Sequence, residues 1–333
     1  MPNNNNQADY AYASTINENE IPVIDISGLL NDIPGEEENV ARQIMEASQR
    51  IGFFYISNHG VAQELIDAAT ETMKDYFALP EETKKQALVN TSQRGWLAQG
   101  MAKLEGDVTH DLKEIFFWGP EKWSATESLN KGKDPLIADN VWPEAFPALK
   151  QNTLPYYDAI CKVGHKLLGA LALGLGVPRD TFEKHYESPL GRGQLVYYPV
   201  STESDEAVQR FGAAPHTDFG VLTLLLQDNN GGLQVLNRNE EWISATPIPG
   251  TIVCNIGDLM NRWSNERLSS NLHRVINRSG RERHSIAIFF DPSPSSTIDP
   301  CELGIERAES LYEPISTSNY IHMKNRKNFS QYS

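Results

Sequence analysis

The sequence predicts a mainly β protein with flanking helices: a double-stranded β-helix, or jelly-roll, core preceded by an N-terminal α/β region. Two observations carry this. After Arg192 the chain breaks into short runs rich in β-branched and aromatic residues, evenly separated by turn residues such as Asn229-Asn230-Gly231-Gly232 and Pro247-Ile248-Pro249-Gly250, the pattern of two packed sheets. Before Arg192, apolar residues recur at helical spacing between isolated strand-like runs. The expected divisions are a disordered leader over 1–20, the α/β region over 21–185, the jelly-roll core over 186–300 and a C-terminal wrap with a last helix over 301–333.

The elements follow in order. Ile21 to Ile26 reads as a first strand, with Pro22 tolerable at its start. Val40, Ile44, Ala47 and Ile51 form an amphipathic helical stripe that Gly52 is suited to end, and Phe53 to Ile56 is a second strand. Leu65, Ile66, Ala69, Met73 and Phe77 give another helical face, closed by Leu79-Pro80. The charge run Glu81 to Lys85 reads as solvated surface. Asp111 to Trp118 mixes charge with aromatics, as expected of a strand under a functional site with its charges paired to one another. A long helix is predicted within Trp142 to Gly176, with His165 as a structural residue. Strand candidates then come at Gln194–Tyr198, Val221–Gln227, Gly232–Leu236, Trp242–Ala245, Thr251–Ile256, His273–Val275 and Ser285–Phe290.

Composition narrows the function. Twenty-nine basic against forty-four acidic side chains give a net charge of −15, which works against nucleic acid or an anionic membrane as partner and favours a small molecule. Three scattered cysteines, Cys161, Cys254 and Cys301, disfavour a disulfide framework and fit a reducing cytoplasm. Cys254, inside an apolar run, is expected as a small buried hydrophobe. The leader lacks the apolar core of a signal peptide, and no later run has the length of a membrane span. A monomer is the expected state.

Chemistry concentrates at Ala214-Pro215-His216-Thr217-Asp218-Phe219-Gly220. In an extended strand residues two apart project to one side, so His216 and Asp218 can point at one atom while Thr217 faces away. Two His and one carboxylate with open positions suit a non-haem Fe(II) centre, and His273 is the candidate third ligand. The other histidines either lack an acidic neighbour at strand spacing or, like His284, should face the opposite side. Further on, Arg283 and Ser285 share one strand face, where a buried guanidinium demands an anion, expected to be a carboxylate.

These residues, together with Ile21-Pro22-Val23-Ile24-Asp25-Ile26, Gly52 to Gly60, Asp111-Leu112-Lys113-Glu114, Gly231-Gly232-Leu233-Gln234-Val235 and Asn255-Ile256-Gly257-Asp258, resemble in order the iron- and 2-oxoglutarate-dependent dioxygenases of the isopenicillin N synthase-like family. The resemblance runs from about Ile21 to Tyr320. It implies Fe(II), 2-oxoglutarate and O2 as cofactor and cosubstrates, with ascorbate as an accessory reductant. It implies that His216, Asp218 and His273 hold the iron, and that Arg283, Ser285 and Tyr198 hold the far carboxylate of 2-oxoglutarate. The implied reaction is hydroxylation of a small molecule, with desaturation, ring closure or epoxidation as variants, releasing succinate and CO2, in specialised metabolism. Position marks Phe219, Phe289, Arg94, Trp96 and Phe211 as candidates to face the substrate. Two alternatives stay open on these residues: an oxidase resembling isopenicillin N synthase or 1-aminocyclopropane-1-carboxylate oxidase, which needs no 2-oxoglutarate, and a non-catalytic jelly-roll protein with a structural metal such as zinc.

Overall fold

The computed structural model describes residues 11–14, 20–31, 33–101 and 110–328. Twelve strands build two sheets: β1 (Val23–Asp25), β2 (Phe53–Ser57), β3 (Gly95–Leu97), β4 (Glu114–Trp118), β5 (Leu190–Tyr198), β6 (Ala213–His216), β7 (Leu222–Gln227), β8 (Leu233–Leu236), β9 (Trp242–Ser244), β10 (Thr251–Ile256), β11 (His273–Val275) and β12 (Arg283–Asp291). The larger sheet runs β1-β2-β10-β7-β12-β5-β4-β3 and the smaller β6-β11-β8-β9, with neither order closing into a barrel. The expected jelly-roll core is therefore two sheets laid face to face. The N-terminal region is not set apart from it, because β1 to β4 belong to the larger sheet.

Strand alternation separates two apolar layers. On β12, Ile286, Ile288 and Phe290 face outward with Leu222 and Leu224 of β7, and pack on helices α1 (Glu36–Arg50), α2 (Gln63–Phe77) and α3 (Ala148–Gly174). Cys254 belongs to this layer, fully buried as a small hydrophobe. On the inner side Phe53, Tyr55, Val196, Tyr198 and Val253 of the larger sheet meet Ala213, Leu233, Val235, Ile243 and Val275 of the smaller. The functional side chains lie in this second, inter-sheet layer.

The long helix predicted within Trp142 to Gly176 runs Ala148–Gly174, Pro143 and Pro147 lacking the amide donors an earlier start would need. Three expectations are corrected. Within the Glu81–Lys85 run, Lys84 is buried and pairs with Glu114 at 2.8 Å. Glu114 is thus paired across the sheet edge, whereas Asp111 and Lys113 do pair with each other at 2.8 Å. Within the leader, Ala11–Ser14 is ordered against the smaller sheet: Ser14 bridges Ile243, Gln234 donates to the Ala11 carbonyl and Arg274 to that of Tyr12. The rest of the 1–20 leader except Glu20, and residues 329–333 of the C-terminal wrap, lie outside the described residues. Among the described residues no helix is long and apolar enough to cross a membrane.

Candidate active site

Register brings the histidines together. β11 pairs antiparallel with β6 so that His273 stands opposite His216, their ring centroids 4.3 Å apart. Strand β6 stops at His216, so Asp218 lies in the turn that follows rather than in the strand assumed from spacing. The turn still delivers it. Asp218 Oδ1 stands 4.0 Å from His216 Nε2 and 3.7 Å from His273 Nε2, and one ligand atom from each of the three falls within 4.8 Å of the others. Ligands bound at about 2.0–2.2 Å to a shared ion lie about 3–4 Å apart, so the cluster fits one first-row metal ion.

The surroundings fix the right faces of these groups. His216 Nδ1 lies 2.7 Å from the Ala214 carbonyl and His273 Nδ1 3.2 Å from that of Asn271, so both Nδ1 carry the proton and both Nε2 lone pairs face the centre. Burial, reinforced by His273, pushes the His216 pKa down to about 4 and keeps the imidazole neutral. Burial alone would raise the Asp218 carboxyl. The adjoining imidazoles of His273 and His216, with donors Asn255 and Thr223, outweigh it and hold the carboxyl below its ordinary value, so that it stays ionised. Asn255 Nδ2 and Thr223 Oγ1 donate to Oδ2 at 2.8 and 2.5 Å, leaving Oδ1 turned to the histidines.

The same cavity holds the expected anion pocket. Arg283, Ser285 and Tyr198 line it together with the triad. Arg283 is fully buried; its Nε donates to the Gly231 carbonyl at 2.7 Å, its guanidinium lies 4.6 Å from the Tyr198 ring centre and its Nη1 lies 3.5 Å from Ser285 Oγ. No carboxylate pairs with it among the described residues. A buried guanidinium in that state is built to receive an anion from outside the chain.

The five residues expected to face substrate separate. Phe289 lines the cavity. Arg94 is buried and donates to the Ser92, Gln93 and Leu136 carbonyls. Trp96 is buried with its indole N–H on Glu114. Phe211 packs on the Arg274 guanidinium and Phe219 lies under the Lys324 ammonium. Lys113 and Gln194, which sequence reading passed over, line the cavity. Asn255 was also missed, although a lone amide in the apolar run Thr251–Ile256 was a readable signal.

Comparison with known proteins agrees with this geometry. Residues 21–145 match the family described as non-haem dioxygenase in morphine synthesis, N-terminal, and residues 193–292 match the 2OG-Fe(II) oxygenase superfamily. The chain is 35% identical over 83% of its length to 1-aminocyclopropane-1-carboxylate oxidase of Dictyostelium discoideum, covering 83% of that protein. It is 32% identical over 90% of its length to a 2-oxoglutarate-Fe(II) type oxidoreductase of Emericella nidulans, covering 88% of it. Among solved structures, a full-length Neurospora crassa protein in complex with alpha-KG and thymine superposes with a TM-score of 0.82 at 29% identity, over 94% of this chain and 98% of that one. The inward triad, the unneutralised arginine beside it and these likenesses agree: the chain belongs to the non-haem iron, 2-oxoglutarate-dependent oxygenases, the isopenicillin N synthase-like superfamily, and takes Fe(II) and 2-oxoglutarate.

Proposed function

We propose that this oxygenase holds Fe(II) through His216 Nε2, Asp218 Oδ1 and His273 Nε2, anchors 2-oxoglutarate through Arg283, Ser285 and Tyr198, and hydroxylates a small molecule lying against Phe289. The carrying observation is Arg283, fully buried in the cavity that holds the triad and, among the described residues, without an acidic partner. When bound, iron and 2-oxoglutarate together supply the oxidising chemistry, with succinate and CO2 as by-products. The protein's part is placement. The Ala214 and Asn271 carbonyls lock the two imidazoles, and Thr223 with Asn255 sets the carboxylate. The Arg283 fork fixes the direction of the diacid, which a lysine would neutralise without orienting. Phe53, Val196, Leu225 and Val275 keep the cavity walls apolar.

For its setting we propose specialised metabolism, the context named by the matched N-terminal family, and a monomer in a reducing cytoplasm. Three free cysteines support the compartment. Substrate screening should follow succinate release across compound classes, since turnover without succinate is the signature of the oxidase alternative. Arg283→Lys should weaken 2-oxoglutarate binding by about tenfold or more, the loss of one charge-assisted hydrogen bond, read by calorimetry on the Co(II)-loaded protein. An Arg283→Ala protein with an unaltered 2-oxoglutarate requirement would remove Arg283 as anchor.

A further inference from the structure

Thr217 sits between two of the proposed iron ligands and faces away from them. Its Oγ1 donates to Asp258 Oδ2 at 3.0 Å, and the Asp258 backbone N–H donates to the Asp218 carbonyl at 2.7 Å, so one residue grips the ligand turn twice. Asp258 opens the short helix α4 (Asp258–Trp263), whose next amide, Leu259, bonds the Phe219 and Gly220 carbonyls. The other carboxylate oxygen, Oδ1, accepts from Ser270 Oγ at 2.7 Å, three residues before His273. A third segment reaches the same group. Lys324, on the C-terminal helix α5 (Thr317–Asn328), donates from Nζ to Asp258 Oδ2 at 2.5 Å and stands 5.7 Å over the Phe219 ring.

We propose that Asp258 is a positioning residue that joins helix α5 to both ligand-bearing segments, so that docking of α5 and occupation of the metal centre strengthen each other. Side chains from the three segments converge on a single carboxylate, and its two oxygens have lone pairs enough for all of them. An amide in its place keeps the shape but loses the anion that holds Lys324 and gives up one acceptor oxygen. Helix α5 has a second anchor elsewhere. Ser318 and His322 both bond Asp134, the latter at 2.9 Å, so α5 can stay attached when the Asp258 latch is cut. The consequence is a coupling free energy, and coupling is reciprocal: whatever factor metal adds to α5 docking, loss of the latch subtracts from metal affinity.

The inference rests on the metal-centre reading given above, and the experiment separates the two. On the full-length protein, the Co(II) dissociation constant is measured for wild type, Asp258→Asn, Lys324→Met and Thr217→Val. Hydrogen exchange of peptides spanning 317–328 is followed with and without Co(II) plus 2-oxoglutarate. Wild type should bind Co(II) and slow exchange in α5 on binding. Asp258→Asn and Lys324→Met should each weaken Co(II) about tenfold, the usual scale for groups behind a metal ligand, and erase the metal-dependent part of the α5 protection. Thr217→Val combined with Lys324→Met should cost less than the two singles together. Should Asp258→Asn fail to fold, Lys324→Met still decides, its side chain being one-quarter exposed on the helix surface. A purely structural latch would lower the melting temperature but leave metal affinity and the metal-induced change in α5 as in wild type, and that result overturns the proposal. A wild-type protein that takes up no Co(II) would instead overturn the metal-centre reading.

Discussion

At Asp218 the two carboxylate oxygens have different work. Oδ2 is saturated by Thr223 and Asn255, and because these donors hold it, Oδ1 is presented to the imidazoles in a single orientation. Removing one donor should therefore cost affinity rather than fold. Thr223→Val, nearly isosteric, should weaken Co(II) binding between about tenfold and a hundredfold with little change in 2-oxoglutarate affinity measured at saturating metal. Equal metal affinity in this variant would show that Asp218 is oriented by the turn alone. The contrast between ligands and their supports also explains what sequence could say. His216, Asp218, Arg283 and Ser285 were legible because each pair sits two residues apart in one stretch of chain. Thr223 and Asn255 lie on different strands and converge only because β7 and β10 pair them directly opposite each other, a register no local pattern encodes.

Among the elements, the junction of α1 and β2 carries more than a chain reversal. Gly52, expected as a helix terminator, has φ of +68°, and a Cβ there would lie 2.1 Å from the Ser269 carbonyl oxygen. Ser269 begins the segment that carries Ser270 and His273, so this close approach seats the smaller sheet's ligand strand against β2, where the Phe53 ring meets His273 edge-on at 5.3 Å. Gly52→Ala should destabilise by more than the about 1–2 kcal/mol of a left-handed residue, because the backbone contact adds to it, and should lower metal affinity by displacing His273. Chemical denaturation and Co(II) titration of the same sample check both. The helix and the turn-forming glycine were readable from spacing. The partner of that glycine was not, since Ser269 is more than two hundred residues away in sequence. Likewise the strand expected through His216-Thr217-Asp218 ends at His216, which leaves Asp218 in the turn beyond it.

For the whole molecule, the larger sheet divides charge from apolar bulk: its inner face carries Arg283 and Ser285 opposite the triad, whose two histidines belong to the smaller sheet, while its outer face is sealed by α1, α2 and α3. His59 and His284 are buried at the rim of that side, and His165 lies partly exposed on its helix layer. His165, on α3, packs edge-on against Phe290 of β12 at 4.9 Å and Tyr186 at 5.8 Å. Burial holds His59, His165 and His284 below the ordinary value of 6.5, with the nearby acids Glu183 at His165 and Asp228 at His284 offsetting it only in part. The unfolded chain, with histidines near 6.5, takes up protons that the folded chain refuses. Stability from these groups is complete above pH 6.5 and is lost as pH falls below it toward their lower folded values. The urea midpoint of the metal-free protein should thus drop between pH 7.5 and pH 5, with the denaturant slope unchanged. In His165→Gln, which cannot titrate, the midpoint should be lower at pH 7.5 for lost packing but should fall less on acidification. A variant whose midpoint falls by the same amount as wild type would mean that His165 titrates normally in the folded state.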